Sequence, residues 1–189
     1  MVSSARVWAG ILLGLFLACA VLMTFVHPFD HDEFEHLHSA WNIRSGLRPY
    51  ADFFEHHHPL LWALLVPVLG LFGETTAALF AARVLMLALV LVMGRLVFLL
   101  ARRIFPEPPA PLFAIAILFS TVLFVSAGVQ VRPDVPQSAL LLWAVLEIVR
   151  HGEDGKPRRL IAAAFLISLA FLFLQKTILF LPASRSACS

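Results

Sequence analysis

The chain contains 189 residues, of which 60% are hydrophobic and only 14% charged. Its mean hydropathy of +0.88 lies far outside the range of soluble globular domains, so the composition excludes that class and indicates an integral membrane protein. The net charge of +2 does not indicate a nucleic-acid partner. Cys19 lies in an apolar run and Cys188 in the tail, so neither a structural disulfide nor a zinc thiolate site is expected.

Five apolar windows follow one another along the sequence. A helix rises about 1.5 Å per residue, so roughly 20 residues are needed to cross a hydrocarbon core about 30 Å thick. The windows are 7–26, 77–100, 112–129, 135–149 and 160–174; the first two satisfy this length, the third nearly does, and the last two are short. The pattern predicts an all-α, polytopic transmembrane helical bundle of about five spans, forming a single domain over residues 1–189. The first window stays apolar through Val26, which favours an uncleaved span over a secretory signal.

The distribution of Lys and Arg predicts the orientation of the bundle, because cytoplasmic loops are enriched in these residues. With the N-terminus inside, the cytoplasmic set is Arg6, Arg102, Arg103, Arg150, Lys156, Arg158 and Arg159, and the smaller outer set is Arg44, Arg48, Arg132 and Lys176. This orientation requires that residues 59–72 do not cross the membrane. They are too few to span and are interrupted by Pro67, so they are predicted to form an interfacial helix with Trp62 at headgroup level.

Segment 27–58, which this orientation makes extracytoplasmic, holds six of the twelve acids and seven of the eight histidines. A solvated loop explains the charge but not its concentration beside a span. Asp30 and Glu33 match a capping box and predict a helix that ends near Gly46. The apolar stripe of that helix is expected to rest on the bilayer and consists of Phe34, Leu37, Ala40, Trp41 and Ile43; the polar face carries Glu35, His38 and Asn42.

Three consecutive histidines, residues 56–58, follow Glu55. Neutral imidazole and carboxylate suit a divalent ion such as Zn²⁺ or Mn²⁺, so one or two of these histidines are candidate ligands. Three consecutive histidines cannot all face one ion from a regular helix, and the chain has no HExxH spacing. Polar packing and contact with a phosphate are therefore open alternatives.

Polar residues also interrupt the later apolar windows. Arg132-Pro133-Asp134 forms either a plain turn or part of a site on the outer face. Gln175-Lys176 either ends a short span or serves such a site. Arg83 and Arg95, inside the second window, are expected to snorkel or to pair within the bundle.

At these residues the chain resembles the GT-C superfamily of polytopic membrane glycosyltransferases, which includes protein O-mannosyltransferases and the lipid A aminoarabinose transferase. The resemblance is to the N-terminal part of those proteins. It consists of an outer loop that opens with Asp32-Glu33 and ends with Phe54-Glu55-His56-His57-His58-Pro59-Leu60, and a later outer loop with Arg132-Pro133-Asp134. Several members have Lys where this chain has His56. Members are also much longer, so the chain is interpreted as a truncated N-terminal portion that would be inactive alone.

The resemblance implies a multi-pass protein of the bacterial cytoplasmic (inner) membrane. It would transfer a sugar from a polyprenyl-phosphate-linked donor to an extracytoplasmic hydroxyl of a lipid, glycan or protein, with inversion at the anomeric carbon. Asp32 would be the general base and Glu33 the second catalytic residue of the motif, with Asp30 as a competitor for the base. The donor phosphate or a metal ion (Zn, Mn or Mg) would be held by residues of the two outer loops and the last window: Glu55, His56, His57, Arg132, Asp134 and Lys176.

Two other classes of protein remain open from the sequence. A metal- or proton-coupled membrane transporter would also place histidines and acids at a membrane, but its acids would lie deeper in the spans. The first three windows have no acid near their centres, and Glu147 lies by a cytoplasmic end. The other alternative is a non-catalytic membrane assembly subunit.

Overall fold

The computed structural model describes residues 2–105, 107 and 109–180, and the predicted tail with Cys188 lies outside this part. Regular structure in the described residues is helical, without a strand, which confirms the all-α prediction. In chain order the helices are α1 (Val2–Val26), α2 (His31–Arg44), α3 (Leu60–Phe72), α4 (Thr76–Ile104), α5 (Ala110–Ser120), α6 (Val122–Val129), α7 (Asp134–Asp154) and α8 (Pro157–Phe173), followed by a 3₁₀ helix (Gln175–Phe180).

Helices α1 and α4 are long and apolar enough to cross a membrane, over Val7–Val26 and Thr76–Ile104. Most of α1 turns large apolar side chains outward, including Trp8, Leu15 and Val26. In water this surface would be costly, since roughly 25 cal/mol is lost for each Å² of exposed apolar area. It therefore suits contact with lipid. The number of further crossings stays a prediction.

Helix α4 is the centre of the bundle and contacts α1, α3, α5, α6 and α7. Its contact with α6 is close because Gly128 has no side chain. A Cβ atom built there would lie 2.9 Å from a methyl carbon of Val90. Small residues at such crossings let membrane helices approach closely, which increases the packing contacts that hold them together.

The third predicted window, 112–129, is not one helix. It breaks at Thr121, whose backbone is extended, into α5 and α6. The hydroxyls of Ser120 and Thr121 donate to the carbonyl of Ile117, at 2.8 and 3.3 Å. Such bonds compete with the helical ladder, which explains an interruption without Pro or Gly.

Helices α2 and α3 differ from their predicted surface roles. Trp62 is completely buried rather than at headgroup level, and Leu37 and Ala40 of the supposed bilayer stripe belong to the core. Asn42, predicted on the polar face, is buried as well. The reason is that α3 packs against α2 and α4, so both short helices bury a face in protein.

Helices α7 and α8 form an antiparallel hairpin. The turn between them contains Gly155 at φ +65°, the left-handed conformation that glycine adopts without a Cβ penalty. Its N–H donates to the carbonyl of His151 at 2.7 Å and closes the end of α7. The chain thus returns towards the end of the bundle at which α7 begins.

Candidate functional site

The first turn of α2 is fixed by the predicted capping box. Asp30 is the N-cap, and its carboxylate accepts from the N–H of Asp32 at 3.1 Å, while its own N–H donates to Glu33 at 3.0 Å. The pKa of the Asp30 carboxyl is lowered from the 3.8 of a free Asp, chiefly by the hydrogen bond from the Asp32 N–H. The cap holds the acids of the loop at the end of α1.

Glu33 is completely buried and forms an ion pair with Arg83 of α4, which is also completely buried. The two side chains meet through two hydrogen bonds of 2.6 and 2.8 Å. The remaining N–H groups of Arg83 donate to the carbonyls of Thr24, His27 and Pro28, at 2.7 to 3.3 Å. All five guanidinium N–H groups are thus used, and they join α4 to the end of α1 and the start of α2. Of the two predicted roles of Arg83, snorkelling and pairing within the bundle, the structure shows the pairing.

Glu33 also reaches the loop before α7. Its Oε1 accepts from the backbone N–H of Val131 at 3.1 Å, across 98 residues of sequence. Because Arg132 is the next residue, this bond places its side chain beside the first turn of α2. The four hydrogen bonds to Glu33 leave its carboxylate saturated and away from solvent.

Charged side chains from three parts of the chain meet in one row, which we call the charged row. It consists of Asp30, His31, Asp32, Arg132, Asp134 and Lys176. The ring of His31 lies 2.9 Å from Asp30 and 3.0 Å from Asp32. The guanidinium of Arg132 lies 3.5 Å from Asp32 and 3.7 Å from Asp134, and Lys176 lies 3.4 Å from Asp134. The four predicted site residues among them, which the sequence separates by up to 144 positions (32 to 176), are therefore neighbours.

Asp30 and Asp32 differ in how much of their carboxylates is free. The carboxylate of Asp30 accepts the capping hydrogen bond. In the described part of the chain, the carboxylate of Asp32 has polar contacts only with the side chains of His31 and Arg132. Both are about one-third exposed. Asp32 is thus the better placed of the two to exchange a proton with a bound molecule.

A second group lies one helical turn further along α2, and we call it the Glu–His cluster. It consists of Glu35, Glu55, His56 and His57, each with a potential ligand atom within 4.8 Å of the others. Oε1 of Glu55 lies 2.9 Å from Nδ1 of His56 and 3.2 Å from Nδ1 of His57. The same oxygen accepts from the backbone N–H of His56 at 2.7 Å. The candidate ligands Glu55, His56 and His57 thus share this cluster with Glu35, which is not among the predicted site residues.

The two carboxyls of the cluster shift each other's pKa. The hydrogen bond to Glu55 is the main cause that raises the pKa of Glu35. Burial acts to raise the pKa of Glu55 as well, but the hydrogen bonds from Glu35 and from His56 and His57 outweigh it, and its net pKa is lowered. The pKa values of the two carboxyls are therefore shifted in opposite directions, that of Glu35 upwards and that of Glu55 downwards.

His36 lies behind the cluster, buried between α2 and α3. Its pKa is lowered from 6.5 to about 4, first by burial and then by the nearby charge of His57. The ring stays neutral, and its Nδ1 faces the indole N–H of Trp62 at 3.4 Å. The buried Trp62 thus helps to fix the turn of α2 that carries Glu35.

Other predicted outer cations take no part in either group. Arg48 pairs with Asp52 in its own turn, and Arg44 is exposed on the last turn of α2. The ring N–H of His58 donates to the carbonyl of Phe171 at 2.6 Å, so His58 joins the loop to α8 and does not take part in the Glu–His cluster.

Sequence reasoning predicts no functional role for three residues that the structure places at the site: His31, Glu35 and His36. The spacing of Asp32 and His36, four residues apart on a helix, is a signal that they share a face. The contact between Glu35 and Glu55 has no such local signal, because a turn of irregular structure brings Glu55 back to α2.

An open groove of about 510 Å³ leads from the charged row into the bundle. Arg132 and Asp134 lie at its polar end, and its walls come from α4, α6 and the start of α7: Val90, Met93, Thr121, Phe124, Ala127, Gly128, Val135 and Ser138. A molecule with an anionic head and an apolar tail matches this distribution of charge and apolar surface.

The family model for dolichyl-phosphate-mannose-protein mannosyltransferases matches residues 56–185. The match covers 130 of the 189 residues and includes Arg132, Asp134 and Lys176, while Asp32 lies before it. The chain belongs to this family of membrane-embedded glycosyltransferases of the GT-C type. No curated protein and no solved structure matches it.

Proposed function

We propose that the charged row serves the transfer of a sugar from a polyprenyl-phosphate donor to a hydroxyl group, with Asp32 as the general base. The observation that carries the proposal is the pairing of Asp32 with Arg132, at 3.5 Å, at the polar end of an apolar groove. A carboxylate, a guanidinium and an apolar groove are thus adjacent, and this supports a proton acceptor beside the phosphate and the lipid chain of a donor. The family description names dolichyl phosphate mannose as donor and protein as acceptor, so mannose is the first sugar to assay.

In the proposed reaction the acceptor oxygen attacks the anomeric carbon while its proton passes to Asp32. The bond between that carbon and the phosphate oxygen breaks, and the polyprenyl phosphate leaves with the electron pair. Attack from the side opposite the phosphate inverts the anomeric centre. Negative charge grows on the phosphate in the transition state, where Arg132 and Lys176 would stabilise it. Both side chains are at least one-third exposed, so a bound phosphate can reach them.

Asp134 would hold these two cations in place, since it lies within 4 Å of both. Glu33 would act through its neighbours, because its saturated and buried carboxylate cannot reach a substrate without losing its bonds to Arg83 and Val131. We therefore assign Glu33 a positioning role: it sets the separation between Asp32 and Arg132.

The Glu–His cluster would hold the divalent metal ion, if one is used. Two carboxylates and two imidazoles form a donor set that suits Zn²⁺ or Mn²⁺. The lowered pKa of Glu55 favours the anionic form that a metal ion requires, and a bound ion would also favour the anionic form of Glu35. A bound ion would supply positive charge near the charged row.

Sugar transfer from a radiolabelled polyprenyl-phosphate mannose in membranes that contain the protein tests the proposal. Asp32→Asn should lower the rate by about 10²–10⁴, the usual cost of losing a general base. Asp52→Asn is the matched control, because Asp52 is a similarly exposed carboxylate of the same loop that pairs with Arg48 outside both groups. Full activity in Asp32→Asn would refute the assignment of the base.

A further inference from the structure

A second groove lies between α7 and α8, away from the charged row. It has a volume of about 580 Å³. Trp143 and Glu147 line it from α7, and Arg158, Ala162 and Phe165 line it from α8. Glu147 is 13 residues beyond Asp134 on α7, so the groove's charged end lies about 20 Å from the charged row.

The lining residues follow one stripe of each helix. On α8 the residues 158, 162, 165 and 169 recur at intervals of three and four, as positions on a single helical face do. The stripe runs for about 16 Å from Arg158 to Leu169. Arg158, Arg159 and Glu147 line one end of the groove, and the rest of its lining is apolar.

The charged end carries more positive than negative charge. Glu147 is shared between Arg150 and Arg159, at 2.6 and 3.0 Å. Asp154 binds Arg159 and Lys156, at 2.8 and 3.1 Å. Arg158 is exposed and forms no ion pair with any residue that the structure describes. Its guanidinium is therefore available to an anion from outside the chain.

We propose that this groove binds an anionic phospholipid, with the headgroup phosphate on Arg158 and an acyl chain along Trp143, Phe165 and Leu169. Guanidinium groups bind phosphate through paired N–H donors, and basic pockets between membrane helices recognise anionic headgroups. Trp143 and Phe165 are 46% and 66% exposed, so the apolar wall is open to a lipid chain. A free phosphate ion would leave that wall unfilled, which is why a whole lipid is the better fit.

Native mass spectrometry of the purified chain in detergent tests the proposal, with phosphatidylglycerol and phosphatidylcholine of identical acyl chains as the two probes. Phosphatidylglycerol should bind more tightly, and Arg158→Ala should weaken its binding about five-fold, the usual effect of one cation near a lipid surface. Arg102→Ala is the matched control: it removes an exposed guanidinium at the same end of the bundle, beside Phe98 and outside the groove. It should leave lipid binding unchanged.

Ala162→Phe provides the second variant, because a phenyl ring at this groove position would occupy the path of the acyl chain. It should weaken the binding of both lipids, while the helical circular dichroism of each variant stays unchanged. Equal binding of the two lipids, or equal losses in Arg158→Ala and Arg102→Ala, would overturn the proposal. So would a lipid-independent dimer that Ala162→Phe disperses, since the occupant would then be a second copy. None of these measurements depends on sugar transfer.

Discussion

Arg83 and Glu33 form an ion pair that no solvent reaches, with Nη2 and Oε2 2.6 Å apart, although 50 residues separate them in sequence. The pair joins the second long span to the loop that carries Asp32, and through Val131 it also holds the loop that carries Arg132. The geometry of the charged row therefore depends on a contact outside the row itself.

Removing one partner of this pair should be strongly destabilising. Arg83→Met would leave the Glu33 carboxylate buried without its counter-ion, and such changes cost about 3–5 kcal/mol of unfolding free energy. The measurement is denaturant unfolding of the chain in detergent. Arg95→Met is the control, since Arg95 is exposed on the same helix and should change the free energy by less than about 0.5 kcal/mol. Adding Glu33→Leu to Arg83→Met should recover part of the loss; an additive loss would contradict the assigned pairing.

Asp30→Asn should separate the two candidate bases. Asn also caps helices well, and so the unfolding free energy should fall by less than the roughly 0.5–2 kcal/mol that loss of a cap costs. Sugar transfer should stay within a few-fold of the unaltered protein, in contrast to Asp32→Asn. If Asp30→Asn shows the larger loss of rate at unchanged stability, the two roles must be exchanged.

The stability of the fold should fall as the pH drops from about 6.5 to about 4. His36 has a pKa of about 4 in the folded chain against 6.5 in the unfolded one, so the unfolded state binds the extra proton in this range. Above pH 6.5 both states are neutral and the stability is fully present. The free energy of unfolding should fall by about 3 kcal/mol at low pH, because each unit of difference in pKa corresponds to about 1.36 kcal/mol. Unfolding measured against pH should show this slope flattened in His36→Gln and kept in His38→Gln, whose ring is exposed on the same helix.

Metal content should depend on His56 and His57 but not on His58. The first two are in the Glu–His cluster, whereas the ring of His58 is bonded to the carbonyl of Phe171. Elemental analysis of purified protein should show less bound Zn or Mn in the double variant His56→Ala/His57→Ala and an unchanged amount in His58→Ala. The same stoichiometry in all three proteins would leave the cluster a role in packing or phosphate contact alone.

Single cysteines should report the orientation of the bundle. In a chain in which Cys19 and Cys188 are replaced by Ser, an impermeant thiol reagent added outside should label a cysteine at position 45 and not one at position 154. This follows from the excess of Lys and Arg on the predicted cytoplasmic side. The reverse labelling pattern would mean that the bundle has the opposite orientation in the membrane, with the charged row on the inner face.

The local parts of this site can be predicted from sequence because their signals are local. The capping box of Asp30 and Glu33 needs only a three-residue spacing, and it is present as predicted. The burial of Glu33 against Arg83 has no such signal, because it depends on how α4 packs against the end of α1. For the same reason Trp62, whose amphipathic ring suits a membrane surface, turns inward when α3 covers α2. The break at Thr121 depends on hydrogen bonds from hydroxyl groups to the backbone, and a hydropathy scale contains no information about them.

The contacts of Arg83 also impose an order on biogenesis. A chain made from its N-terminus at about 5–20 residues per second presents Glu33 to the translocation machinery roughly 3–10 s before Arg83, 50 residues later, is synthesised. During that interval the carboxylate has no counter-ion and must stay hydrated outside the bilayer. The loop therefore cannot reach its final fold until α4 is inserted, and Arg132 joins it later still. In a newly made protein the pairing of Asp32 with Arg132 can thus form only after α4 and the loop before α7 have been made.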